Sequence, residues 1–195
     1  MKSTFSKLAL LSSSILLATS AMADVTASAT ARWDATAVKD TSSALVVTPL
    51  RSLNFQYAEG LESFNQQNGA FDVTVQGQSG ATDFELTSTL ISNTLTRSGD
   101  ASTLDVGVAW NGTKLTKAAQ TTLINTANNT NAGLEALAQQ SAYAGTGRTS
   151  AQGNFVFTVD SATVDGSEAA AFADLADGMW NGEVAVQFTA TWATP

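Results

Sequence analysis

The residues best equipped for chemistry in this 195-residue chain are its carboxylates. Two close pairs, Asp83 with Glu85 and Asp174 with Asp177, are of the types a glycosidase needs, one acid and one base or nucleophile. Asp160, Asp165 and Glu168 around Gly166 offer oxygen ligands for calcium, although their spacing is not that of an EF-hand loop. Both sets sit among solvent-like neighbours and read better as solvated faces and turns. Gly145-Thr-Gly147-Arg148 is too short for a phosphate loop and lacks the Lys-Ser/Thr that should follow. Asn111-Gly-Thr113 and Asn128-Asn-Thr130 fit glycosylation sequons but read as turns. Trp110 and Trp180 could meet sugars at a surface, with core packing the better reading. The chain has no histidine and no cysteine. That excludes a Ser-His-Asp triad, a Cys-His pair, a His-bearing zinc site and any disulfide. No catalytic residue, metal site or cofactor is assigned, and an enzyme is not expected.

The segments that would position these residues belong to an exported chain. Lys2 and Lys7 give a positive start, Leu8 to Leu17 is mostly apolar, and Ala21-Met22-Ala23 is a small-x-small cleavage site. Residues 1–23 therefore read as a secretory signal peptide. The apolar run is too short for a membrane span, which needs about 20 residues. Cleavage leaves 195 − 23 = 172 residues, enough for one domain with a real core. It also removes two of nine basic residues and none of seventeen acidic ones, so the mature charge is 7 − 17 = −10. Such an acidic chain is a poor partner for nucleic acid, whose phosphates call for clustered Lys and Arg.

The mature start is the most patterned stretch. Val25, Ala27, Ala29, Ala31, Trp33, Ala35 and Ala37 alternate with Thr26, Ser28, Thr30, Arg32, Asp34 and Thr36. At a period of two, one face of a strand is apolar and the other polar. Further short strands are expected at Leu45–Val47, Leu53–Tyr57, Phe71–Val75, Phe84–Leu90, Leu104–Trp110, Phe155–Val159 and Val184–Trp192. Asn111-Gly112 is a hairpin-turn signal. Asn131 to Gln140, with Leu134 and Leu137 at spacing three, predicts a short helix. Ala169 to Ala176 predicts a helical turn or an irregular connection. Six to eight closely spaced strands with one apolar face predict an all-β antiparallel sandwich. Ala29-Thr-Ala-Arg-Trp33 and Thr189-Ala-Thr-Trp192 look alike, which shared strand composition explains.

Several blocks carry a resemblance. Asp24-Val-Thr-Ala27, Trp33 with Ala35-Thr-Ala37, Leu45-Val-Val-Thr-Pro-Leu50, Phe55-Gln-Tyr-Ala-Glu-Gly60, Asn93-Thr-Leu-Thr96, Ile124-Asn-Thr-Ala-Asn128, Val186-Gln-Phe188 and Ala190-Thr-Trp192 are similar to the major pilins of the enterobacterial common pilus, or Mat fimbria. These form a divergent branch of chaperone–usher pilins, and the similarity runs from signal peptide to C-terminus. The resemblance implies an incomplete immunoglobulin-like sandwich over residues 38–195, completed by a donated strand. Residues 24–37 would then be an N-terminal donor extension. It also implies a periplasmic chaperone, an outer-membrane usher, a tip adhesin subunit, self-association into filaments and display at the cell surface as a fimbrium. Adhesion to a host receptor of unstated chemistry and biofilm formation follow as the implied roles.

The residues suit that mechanism. A missing strand leaves an open edge and an uncovered core, and strand addition covers both. Val25, Ala27, Ala29, Ala31 and Trp33 are the expected inserting side chains. A one-residue slip would put Thr and Arg32 into the groove instead. The Ala-rich face limits bulk, so its pockets should be shallow except at Val25 and Trp33. Whether Trp33 ends the donated segment or begins the body stays open. Val184, Val186, Phe188 and Trp192 share a parity. Their pattern alone fits ordinary sandwich core; the resemblance makes them the acceptor groove edge. The alternative is a monomeric, exported carbohydrate-binding sandwich in which 24–37 closes its own sheet.

Overall fold

Alternation of apolar and polar side chains builds most of this protein, whose computed structural model describes Lys39 and residues 42–195. In chain order the strands are β1 (Leu45–Pro49), β2 (Tyr57–Ala58), β3 (Ser63–Phe64), β4 (Gln67–Gln76), β5 (Asp83–Ser92), β6 (Thr94–Arg97), β7 (Thr103–Trp110), β8 (Thr113–Lys114), β9 (Thr121–Asn125), β10 (Arg148–Thr163), β11 (Ala169–Ala170), β12 (Trp180–Gly182) and β13 (Ala185–Ala193). A single helical turn, α1 (Gln140–Tyr143), precedes β10.

The strands form two antiparallel sheets. One runs β1-β4-β10-β7-β6-β12, with β8 against β7 and β11 against β10; the other runs β13-β5-β9. The inward face of each central strand is sealed. Val73, Val75, Leu86, Val106, Val108, Leu123 and Ile124 have 0–1% of their surface exposed. Phe71, Phe84, Trp110 and Phe155 join the same core. Together these layers make an incomplete immunoglobulin-like sandwich: the strand pattern led one to expect the antiparallel sandwich, and the resemblance its incompleteness.

Two glycines matter to this packing. Gly153 of β10 faces Phe71 of β4 across the ladder. A Cβ at Gly153 would lie 2.6 Å from the Phe71 ring, so the bare backbone is what lets the ring lie flat over β10. The β7–β8 hairpin turns on Asn111 and Gly112, with φ of 47° and 83°. Both values are positive, the pattern of the type I′ turn that matches strand twist.

Two expectations need correction. The helix expected over 131–140 is a run of tight turns, and helix begins only at Gln140. Gly133 takes φ 89°, and Leu134, Leu137 and Ala138 bond back three residues, to Asn131, Leu134 and Glu135. Leu134 and Leu137 are nevertheless fully buried, so the spacing marked core contact rather than helix. Leu53–Tyr57 is not a strand either: only Tyr57–Ala58 pairs, with β3. Leu53 and Phe55 pack on the core while the Gln56 amide is taken by Asn65 Oδ1 at 2.8 Å. The segment keeps strand-like side-chain spacing without a neighbouring strand to bond.

Candidate functional site

Asp83 with Glu85, and Asp160 and Asp165, serve the scaffold. Asp83 accepts from the Thr126 hydroxyl and Glu85 from Asn125 Nδ2, tying β5 to the β9 end. Asp165 closes its own turn, accepting from the amides of Ser167 and Glu168; the Glu168 bond, then the Ser167 bonds, hold its carboxyl below the ordinary range. At Asp160 burial pushes the carboxyl up, but the Thr158 hydroxyl and Lys114 ammonium outweigh it and the value falls. Among the described residues no three acidic side chains converge as a metal ion would require. Trp110 is 5% exposed and belongs to the core. Trp180 is half-buried, donates from Nε1 to Ser102 Oγ at 3.1 Å, and lies under the Arg97 guanidinium at 5.7 Å.

The site that stands out is β13. It pairs with β5 along its whole length, Val186 facing Leu90, Phe188 facing Ser88, Ala190 facing Leu86 and Trp192 facing Phe84. Among the described residues its other edge has no neighbouring strand. Row by row, the β5 partners are sealed: Leu90 6%, Ser88 1%, Leu86 0% and Phe84 1% exposed. Their β13 counterparts, Val186, Phe188, Ala190 and Trp192, are all only partly covered while packing on that same core. Burial thus drops in one step from β5 to β13. The inward residues of β1, Leu45 and Val47, repeat the drop relative to Val75 and Val73, which they face. Two edge strands in different sheets therefore share one core, and the core is incompletely covered along both.

Aromatic rings form the floor of this groove. Phe188 lies 5.1 Å from Phe71 and 5.8 Å from Phe155, and Trp192 lies 5.3 Å from Phe84. Trp192 Nε1 and Ser88 Oγ are buried with no hydrogen-bond partner among the described residues. Such groups are costly to leave unpaired.

At its Val184 end the groove opens into a cavity of about 1340 Å³. Leu53, Phe55, Leu95 and Val184 line it and also pack on the main core, so these residues border both. The far wall is Phe64, Phe172 and Trp180, with Phe64 in edge-on contact with both of the others. The rim carries Glu59, Glu62, Asp177 and Glu183. Partial loss of hydration, then the negative charges of Glu62, Glu59 and Asp174, push the Tyr57 phenol up.

Sequence reasoning thus named Val184, Val186, Phe188 and Trp192; the last three lie along β13 with Ala190 between them, and Val184 falls just before the strand's first residue. It did not name Leu45, Val47, Leu53 or Phe55 as part of the same opening. The alternation of Leu45 with Val47 and of Leu53 with Phe55 was the available signal. Val25, Ala27, Ala29, Ala31 and Trp33 lie outside the described residues.

The family model and the sequence relatives agree on a family. The model of the fimbrillin MatB family matches residues 26–192. The common pilus major fimbrillin subunit EcpA of Klebsiella pneumoniae is 53% identical over 175 residues, covering 88% of this chain and 89% of that one. The subunit of the same description from Escherichia coli O139:H28 is 52% identical with the same coverage. Among solved structures, the CooA pilin subunit from enterotoxigenic Escherichia coli gives a TM-score of 0.48 at 16% identity, covering 74% of this chain and 87% of that one. The matched relatives are pilus subunits, not enzymes. With its family model spanning all but the two ends and relatives at half identity across most of both chains, this chain belongs to the MatB fimbrillin family.

Proposed function

We propose that the chain is the major structural subunit of a surface fimbria and polymerises by strand donation. Residues 24–37 of one copy would fill the β13 groove of the next. The observation that carries the reading is the one-step loss of burial between β5 and β13 at an edge that lacks a strand partner among the described residues. Each donated strand supplies main-chain bonds for affinity and alternate side chains for register. Covering about 300 Å² of apolar surface stabilises a joint by about 7 kcal/mol before ordering costs. Because donor and acceptor are different surfaces of one chain, the contact is heterologous and builds an open filament.

The exposed edge must be covered before assembly, which is the task of a periplasmic chaperone; an outer-membrane usher then exchanges its strand for a pilin's. Adhesion, biofilm formation and a tip adhesin subunit complete the proposed role at the cell surface. Electron microscopy and unheated gel electrophoresis of the protein exported with its chaperone and usher test this. Fibres and a ladder that collapses on boiling are expected. Well-exported monomer without fibres, in the presence of both partners, would overturn the proposal in favour of a self-complete binding module.

A further inference from the structure

We infer that the cavity walled by Phe64, Phe172 and Trp180 is a binding site for a small organic cation, an alkylated ammonium. It needs no second copy of the chain and goes beyond the filament role. The walls supply aromatic rings. Tyr57 and Phe172 each meet Phe64 edge-on at 5.5 Å, and Trp180 meets it at 6.4 Å, so the four rings form one continuous surface. All four line the cavity, and none of them is sealed from solvent. The face of such a ring carries negative potential and attracts a cation, best one whose charge is spread over alkyl groups and is weakly hydrated. Met179, 72% exposed, adds a polarizable thioether at the same opening.

The rim supplies the opposite charge. Glu59, Glu62, Asp177 and Glu183 line the cavity, and among the described residues no Lys or Arg does. Neither ion pair of the described residues involves any of the four. Their field reaches the aromatic wall: after partial loss of hydration, Glu62 and Glu59 contribute most to raising the Tyr57 phenol. An anion would be repelled by this rim, and a neutral ligand would leave its charge uncompensated. The chain itself places a cation against the same wall. The Arg97 guanidinium lies 5.7 Å from the centre of the Trp180 ring, held by the Asp100 carboxylate and the Asp177 carbonyl, without lining the cavity. A bound ammonium would meet the rings in the same way, with the rim carboxylates in the role that Asp100 plays for Arg97. Its alkyl groups would rest on Leu53 and Phe55, which line the space as well.

Choline and its uncharged isostere, in which a carbon replaces the nitrogen, isolate the role of charge. Both would be titrated calorimetrically into the full mature chain purified after export. Choline is expected to bind about ten-fold more tightly than the isostere, and added salt should narrow that preference. The double variant Glu59→Gln with Glu62→Gln changes two exposed side chains and should lose most of the preference while keeping the melting temperature. Asp72→Asn removes an acid that does not line the cavity and should keep the preference whole. Equal affinity for the two probes, or no binding of either, would overturn the assignment. So would a preference that survives the double variant, or one that Asp72→Asn removes as fully. Fibres are scored separately in micrographs, so none of these results bears on strand donation.

Discussion

Replacing Phe188 separates an acceptor groove from ordinary core. Phe188 is partly covered in the subunit and touches Phe71 and Phe155, of which Phe155 is 3% exposed. If a donated strand covers what remains of the Phe188 ring, about 50 Å² more apolar surface leaves water, worth about 1.3 kcal/mol at 25 cal/mol/Å². Phe188→Ala should therefore weaken donor binding by close to ten-fold. Phe155→Ala has a different signature. That ring is already sealed, so its loss costs the subunit about 3–5 kcal/mol of stability. It adds little to the strand-binding step, because its exposure hardly changes on binding. The assay is fluorescence anisotropy of a labelled peptide of residues 24–37 binding to residues 39–195, with urea unfolding run in parallel. If the two variants lose the same peptide affinity at matched stability, Phe188 is interior like Phe155, and the groove assignment is wrong.

Three further outcomes follow from the geometry. Ala29→Asp, a charge on the inserted face, should block fibre assembly, while Thr30→Asp on the opposite face should leave it largely intact; equal loss of fibres in micrographs would reject that face assignment. Gly153→Ala should destabilise the subunit by about 1–3 kcal/mol, because the methyl meets the Phe71 ring at 2.6 Å; an unchanged melting temperature would contradict the packing. Asp100 and Asp165 have lowered folded values, Asp100 chiefly through the Ser102 amide and Asp165 through those of Glu168 and Ser167. Their contribution is thus complete above the ordinary carboxylate value of about 3.9 and is lost as pH falls through the lower folded values. Amide exchange at Ser102 and Glu168 should accelerate over that acid window, and a flat profile would show that neither turn depends on the ionised form.

The strands were legible because their period survives in the sequence. Phe71, Val73 and Val75, and likewise Leu104, Val106, Val108 and Trp110, alternate in the text and are sealed in the fold. Asn111-Gly112 was legible for a similar reason, since few residue pairs accept two positive φ angles. Leu134 and Leu137 misled because a spacing of three serves a helix and a succession of tight turns equally well. Leu53 and Phe55 misled because alternation reports which side chains go inward and says nothing about whether a neighbour exists to complete the ladder. The cavity could not be read at all. Its walls come from residues 52–64, 95–104 and 172–184, and only the folded chain brings those together. Val184 to Trp192 were legible as a line, yet nothing in their pattern distinguishes an edge strand from a central one.

If subunits join by strand donation, the two edge strands would give each subunit a load path. A filament pulled from its ends would draw force in through the chain leading to β1 and out through the strand held on β13. Both edge ladders would lie on that path. They are unequal: β13 is tied to β5 from Ala185 to Ala193, whereas β1 is tied to β4 only from Leu45 to Pro49. Under tension β1 would peel before β13 gave way. Each subunit would then lengthen by paying out its leading segment while its grip on its neighbour held, making the filament a chain of short springs rather than a rigid rod.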